Sequence, residues 1–172
     1  MVRARAAQLT EELEVRPEDL GPLVATAHSL RRRPGGWLHL QPGVPEETVP
    51  PPPRGLALLL AGSAPGPAPV ATWVPGAVRR RIPGSGRQAV DQLGIQHGLA
   101  VRARPRLAEA GLWPPPAGWL LRQDDPRRGL VLEVRPEVEL EQLLRWLLRA
   151  TEALSGLPVS GRWRALVFRR AD

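Results

Sequence analysis

Arginine is the residue whose placement here can do the most chemistry. Arg79, Arg80, Arg81, Arg87, Arg102, Arg104 and Arg106 all fall within residues 79–106, where Asp91 is the single acid. Guanidinium groups at that density suit phosphates and carboxylates, through charge and through bidentate hydrogen bonding. Residues 1–34 and 137–172 each carry six arginines and five acids, so the 79–106 segment supplies most of the formal net charge of +7. The composition also has a bias of its own. All 24 basic residues are arginine; lysine, asparagine, tyrosine and cysteine are absent, while proline reaches 21 and glycine 17. The abundant types have G/C-rich codons, which points to a GC-rich bacterial genome. Arginine in place of lysine is therefore weak evidence for phosphate recognition. The excess of bases over acids is better evidence, and it implies an anionic partner.

His97 is the second candidate. It stands between glycines in Gly94-Ile95-Gln96-His97-Gly98, where a ligand can approach the backbone and an imidazole can act as acid or base near neutrality. The simpler reading is a turn histidine with a local hydrogen bond. His28 and His39 have apolar neighbours and read as packed or surface residues. No two histidines share metal-ligand spacing, and no cysteine is present, so no metal site, disulfide or thiol nucleophile is expected. Asp124 and Asp125 are adjacent acids, but Asp-Asp-Pro is ordinary turn chemistry. Gly84-Ser85-Gly86-Arg87 lacks the spacing and the lysine of a P-loop, and Ala89 stands where a dinucleotide loop needs its third glycine. The run Leu130–Val134 and the helix after it superficially resemble an acetyl-coenzyme A site. The connection Arg135-Pro136-Glu137 lacks the glycines of that site and sets an acid where pyrophosphate would lie. No cofactor is expected.

Six tryptophans and one phenylalanine make up the aromatic content. Trp37, Trp73, Trp119 and Trp163 fall in predicted strands and read as core or sheet-face residues. Trp146 sits off the leucine stripe of its helix, where it either borders the core or marks a contact surface. Trp163 between Arg162 and Arg164 has the pattern of a base-stacking aromatic, although core packing is the commoner use.

These residues need elements to position them. Residues 17–33 predict a helix with Leu20, Leu23, Val24, Ala27 and Leu30 on one face, ended by Pro34-Gly35-Gly36. Residues 4–15 suggest a further short helix. Trp37–Leu40, Leu56–Leu60 and Val70–Val74 read as strands of an antiparallel meander. Pro50–Pro53 forms a rigid connector, and residues 77–88 read as an exposed basic loop. Val90–Gln96 predicts a strand and Leu99–Ala110 a helix. Trp119–Gln123 and Gly129–Val134 predict a hairpin around Asp124–Arg128. Residues 137–155 predict the strongest helix, with a stripe of Leu140, Leu143, Leu144, Leu147, Leu148, Thr151 and Leu154 and with Gly156 as its C′ residue. Arg162–Phe168 alternates as a last strand.

The sum is an α+β chain with a mostly antiparallel sheet packed by two or three helices. At 172 residues and 42 % hydrophobic composition it is read as one domain with a buried core. Its parts are an N-terminal helical and meander part (1–76), a basic loop (77–89) and a βαββαβ-like part (90–170) in ferredoxin-like order. No apolar run approaches ~18 residues, and the first residues lack an apolar stretch, so a cytoplasmic protein without a membrane partner is expected. Three functions fit. The leading one is a non-enzymatic binding protein contacting an anionic partner, foremost nucleic acid, through segment 79–106. The second is a protein–protein adaptor or subunit using the last helix, at Trp146, or a sheet edge. The third is an enzyme on a small anionic substrate with His97 as base.

Overall fold

The computed structural model describes residues 7–33, 35–48, 68–82, 86–99 and 101–170. The predicted strand Leu56–Leu60 and the polyproline stretch Pro50–Pro53 lie outside them. In chain order the elements are β1 (Ala7–Val15), α1 (Gly21–Arg32), β2 (Gly36–Pro42), a 3-10 turn (Glu46–Thr48), β3 (Val70–Ile82), β4 (Gly86–Gln96), α2 (Ala103–Glu109), β5 (Leu120–Asp125), β6 (Gly129–Val134), α3 (Leu140–Ala153) and β7 (Trp163–Arg170). The strands form one antiparallel sheet in the order β1-β7-β2-β3-β4-β6-β5. The α+β class with a mostly antiparallel sheet is therefore what the chain adopts.

Alternation within the strands decides which sheet face is covered. Leu38 and Leu40, Ala71 and Trp73, Leu93 and Ile95, Leu130 and Leu132, and Trp163, Ala165 and Val167 are all buried. By register they share one face, and the helices pack there, with α1 and α2 both touching α3. In α1 the buried residues are Leu23, Ala27 and Leu30. In α3 the leucine stripe is buried along its length, as its 3.6-residue spacing requires. The intervening strand residues, among them Trp37, His39, Leu166 and Phe168, lie on the opposite face and are partly exposed.

Several boundaries depart from the sequence reading. α1 starts at Gly21, which places Pro22 in the first turn, where a missing N–H costs nothing. Residues 7–15 form an edge strand on β7 and not a helix. Leu13 and Val15 face Ala165 and Trp163 there, and this pairing overrides the helix preference of the Glu-rich run. α2 is shorter than expected and keeps Pro105 in its first turn. α3 is capped by Glu139, whose carboxylate accepts from the backbone N–H groups of Glu141 (3.0 Å) and Gln142 (2.7 Å). Those two bonds hold the Glu139 carboxyl below its usual range. At its other end α3 closes on Leu154 with φ −95°, and Gly156 does not take the left-handed C′ conformation.

The ferredoxin-like arrangement expected for residues 90–170 does not form. β4 and β6 pair antiparallel, and β2 and β3 stand between β4 and β7. The hairpin around Asp124–Arg128 is as expected. Asp125 Oδ1 accepts from the N–H groups of Arg127 (2.9 Å) and Arg128 (2.8 Å). Gly129 turns the chain at φ +83°, where a β-carbon would run into the Ile95 carbonyl oxygen.

Candidate anion-binding end of the sheet

The segment read as a basic loop is a two-stranded ribbon. Val78, Arg79, Arg80, Arg81 and Ile82 pair with Val90, Ala89, Gln88, Arg87 and Gly86 in an antiparallel ladder. β2 pairs with β3 only over Ala71–Trp73, and β6 pairs with β4 only over Asp91–Ile95. The five ladder pairs therefore have no further strand neighbour among the described residues, and they run beyond the sheet for roughly 17 Å at strand spacing. Register puts positions 79, 81 and 87 on one face of the ribbon and position 80 on the other. Positions 81 and 87 are direct cross-strand partners.

The ribbon is rooted in a buried ion pair. The ladder shifts register between Val74 and Val78, where Gly76 takes φ +58°. Asp91, 1 % exposed, sits opposite this bulge. Its Oδ1 accepts from the Gly76 N–H at 3.0 Å. Its Oδ2 accepts from Arg31 Nη2 (2.8 Å), Arg31 Nε (3.2 Å) and Trp73 Nε1 (3.1 Å). Arg31 also donates to the Val138 carbonyl at 3.1 Å, and its guanidinium carbon lies 5.8 Å from the centroid of the Trp73 ring. One carboxylate thus ties β4, the bulge, α1 and the approach to α3 together. The single acid of the basic segment is its anchor.

The fold adds arginines that the sequence reading did not group. The C-terminal ends of α1 and β7 reach the same end of the sheet as the ribbon root: Gly36 pairs with Arg169, and the Arg170 N–H donates to the Gly35 carbonyl at 3.1 Å. This brings Arg32, Arg33, Arg169 and Arg170 close to the root of the ribbon. None of the four makes an ion pair among the described residues. On the sheet face away from the helices, Trp37 and Phe168 are cross-strand partners. Their rings stack at 12° with centroids 5.5 Å apart, and the His39 ring lies 5.0 Å from that of Phe168.

The seven arginines of segment 79–106 do not form one site. Arg102, Arg104 and Arg106 follow the other end of β4, roughly 30 Å from Arg87 at strand spacing. Arg104 is engaged there: its Nε donates to Asp124 Oδ2 at 3.1 Å, and its guanidinium carbon lies 5.9 Å from the centroid of the Trp113 ring. Asp124 Oδ1 accepts from the Ala103 N–H at 2.7 Å and so caps α2 from across the sheet end. Arg106 approaches Glu109 at 4.0 Å. Trp146 lies in the core, 8 % exposed, edge-on to Trp119 with centroids 5.0 Å apart. Trp163 is buried as well.

His97 also lies at this far end. Its ring was expected to be open between its glycines, but it is 1 % exposed and neither nitrogen has a hydrogen-bond partner among the described residues. Burial lowers its pKa from 6.5, and the charge of Asp124 opposes that shift. The nearest effective charge is therefore an acid and not the sequence-adjacent arginines. Folding keeps the ring neutral, whereas the unfolded chain takes up a proton near pH 6.5. The stability tied to a neutral His97 is thus complete above pH 6.5 and is lost as pH falls from there through the folded value. The melting temperature should drop between pH 7.5 and 5.5, and His97→Gln should drop less. His39, also lowered by burial, supplies a residual decline of the same sign. Equal losses in the two proteins would exclude His97 as the titrating group.

No protein-family model matches this chain, and no match was found among curated proteins or solved structures.

Proposed function

We propose that this chain is a nucleic-acid-binding protein that grips the phosphate backbone with its basic ribbon and the arginines at the ribbon's root. The observation that carries this reading is the ladder of Val78–Ile82 on Gly86–Val90, which bears four arginines and no acid and projects past the sheet. A two-stranded ribbon is one of the two elements that the major groove of DNA admits. Arg32, Arg33, Arg169 and Arg170 extend the same charge to the body of the protein. The enzyme reading loses its clamp, because Arg104 is engaged with Asp124 and the ribbon lies at the other end of β4. The adaptor reading loses Trp146, which is buried.

The test is binding to a labelled 20-base-pair duplex, followed by fluorescence anisotropy across a salt series. The ribbon's four arginines alone contribute about −3.6 to the log–log salt slope, so affinity should fall by roughly 150-fold or more between 50 and 200 mM salt. Replacing Arg79, Arg80 and Arg81 together by alanine should make the slope shallower by about 2.7. Replacing the exposed Arg127 and Arg128 at the far hairpin should leave it nearly unchanged. A triple variant with the wild-type slope would remove the ribbon from the account.

A further inference from the structure

The basic end explains a grip on phosphates, which duplex and single strand share. The sheet face beside it offers the two forms different contacts. Trp37 on β2 and Phe168 on β7 stand at directly paired positions on the face away from the helices. Their rings are nearly parallel, and both are partly exposed. His39 completes a three-ring cluster, 6.4 Å from Trp37 and 5.0 Å from Phe168. The cluster is continuous with the charged end. Gly36 and Arg169, the next pair along the same two strands, lead to Arg170, which alternation returns to the Phe168 face. Partly exposed aromatic rings next to arginines that make no ion pair among the described residues are what unpaired bases need: a flat surface for the base and a cation for the phosphate that follows it. A duplex offers its bases only edge-on, so the rings would add nothing to its binding.

We infer that Trp37 and Phe168 form a stacking platform for unpaired bases, which makes single-stranded nucleic acid the preferred partner. This rests on the nucleic-acid reading of the basic end and adds to it the class of strand.

The test compares three labelled probes on the full chain: a 20-nucleotide single strand, an abasic strand of the same length, and the 20-base-pair duplex. Stacking of even one base should make the normal strand bind roughly tenfold or more tighter than the abasic one. Trp37→Leu and Phe168→Leu should erase that difference and leave the salt slope intact. Equal affinity for normal and abasic strands with a steep salt slope would overturn the platform and leave the phosphate grip standing. Failure of all three probes to bind would overturn both. The abasic comparison uses the unaltered protein, so the result does not depend on a variant folding. A loss confined to the abasic strand in the wild type, together with a variant blind to the missing bases, is the outcome that supports the proposal.

Discussion

Asp91→Ala should be one of the two most damaging single substitutions considered for this chain, at a cost of roughly 3–5 kcal/mol. The reason is the asymmetry of buried ion pairs. Removing one member leaves the others desolvated and unpaired, which costs far more than the intact pair contributes. Asp91 accepts four hydrogen bonds, from Arg31 (two), Trp73 and Gly76. In the variant the Trp73 N–H is left buried, and the Arg31 side chain, 20 % exposed, reaches water only in part. For a chain of this length, such a loss lowers the melting temperature by about 6–20 °C. Asp91→Asn should also destabilise, because its amide cannot accept at both ends. The comparison is Glu12→Ala. Glu12 pairs with Arg164 at 2.6 Å, but that pair is half-exposed and should be worth under about 1 kcal/mol. If Arg31→Ala and the double Arg31→Ala/Asp91→Ala variant are measured too, the double should cost clearly less than the sum of the singles. Equal melting temperatures for Asp91→Ala and Glu12→Ala would show that the carboxylate is not the anchor of the ribbon root.

What could be read from the sequence follows from how local each signal is. The hairpin around Asp124–Arg128 was legible because Asp125 and Gly129 carry their own turn chemistry. α3 was legible because its stripe repeats over fourteen residues, and β7 because Trp163, Ala165 and Val167 alternate. β1 was misread because nothing within its nine residues records the partner that makes it a strand. Its hydrogen bonds go to β7, about 150 residues away. The ribbon reads as a loop in sequence because Pro75-Gly76 looks like the end of a strand and Pro83-Gly84-Ser85-Gly86 puts turn chemistry inside residues 77–88. The ladder of Val78–Ile82 on Gly86–Val90 rests on backbone pairing, with no apolar alternation to announce it. The strand order could not be read either, since the insertion of β2 and β3 between β4 and β7 is a property of the whole sheet.

The site was legible in half. Counting charge along the chain found Arg79–Arg81 and Arg87 but joined them to Arg102, Arg104 and Arg106, which β4 carries to the other end. The same counting hid Arg32, Arg33, Arg169 and Arg170, because their segments sum to near neutrality. In space the N-terminal segment divides. Glu12, Glu14, Glu18 and Asp19 lie along β1 and at the start of α1, and Glu14, Glu18 and Asp19 line an open cleft there with Arg16 and Pro22. The arginines sit at the ends of α1 and β7. Charge separated by the fold leaves no trace in a sum over sequence.

Trp146→Ala should cost roughly 3–5 kcal/mol, the range for truncating a tryptophan in a core. The sequence left this residue between the core and a contact surface, and its surroundings decide for the core. Trp146 meets Trp119 edge-on, a geometry that adds about 0.5–1.5 kcal/mol to simple burial. Its Nε1–H points to the Leu112 carbonyl at 3.4 Å, a long bond worth little by itself. Trp146→Phe keeps a ring against Trp119 and gives up only that bond and part of the volume, so it should be much milder than alanine. Trp119→Ala opens a void on the same pair, and the double Trp119→Ala/Trp146→Ala variant should fall short of additivity by roughly 0.5–3 kcal/mol. A residue that served only as a contact surface would behave otherwise: alanine would leave the melting temperature nearly unchanged, and phenylalanine and alanine would be alike. The ordering of phenylalanine above alanine, with a non-additive double variant, is the signature of a ring held inside the protein against Trp119.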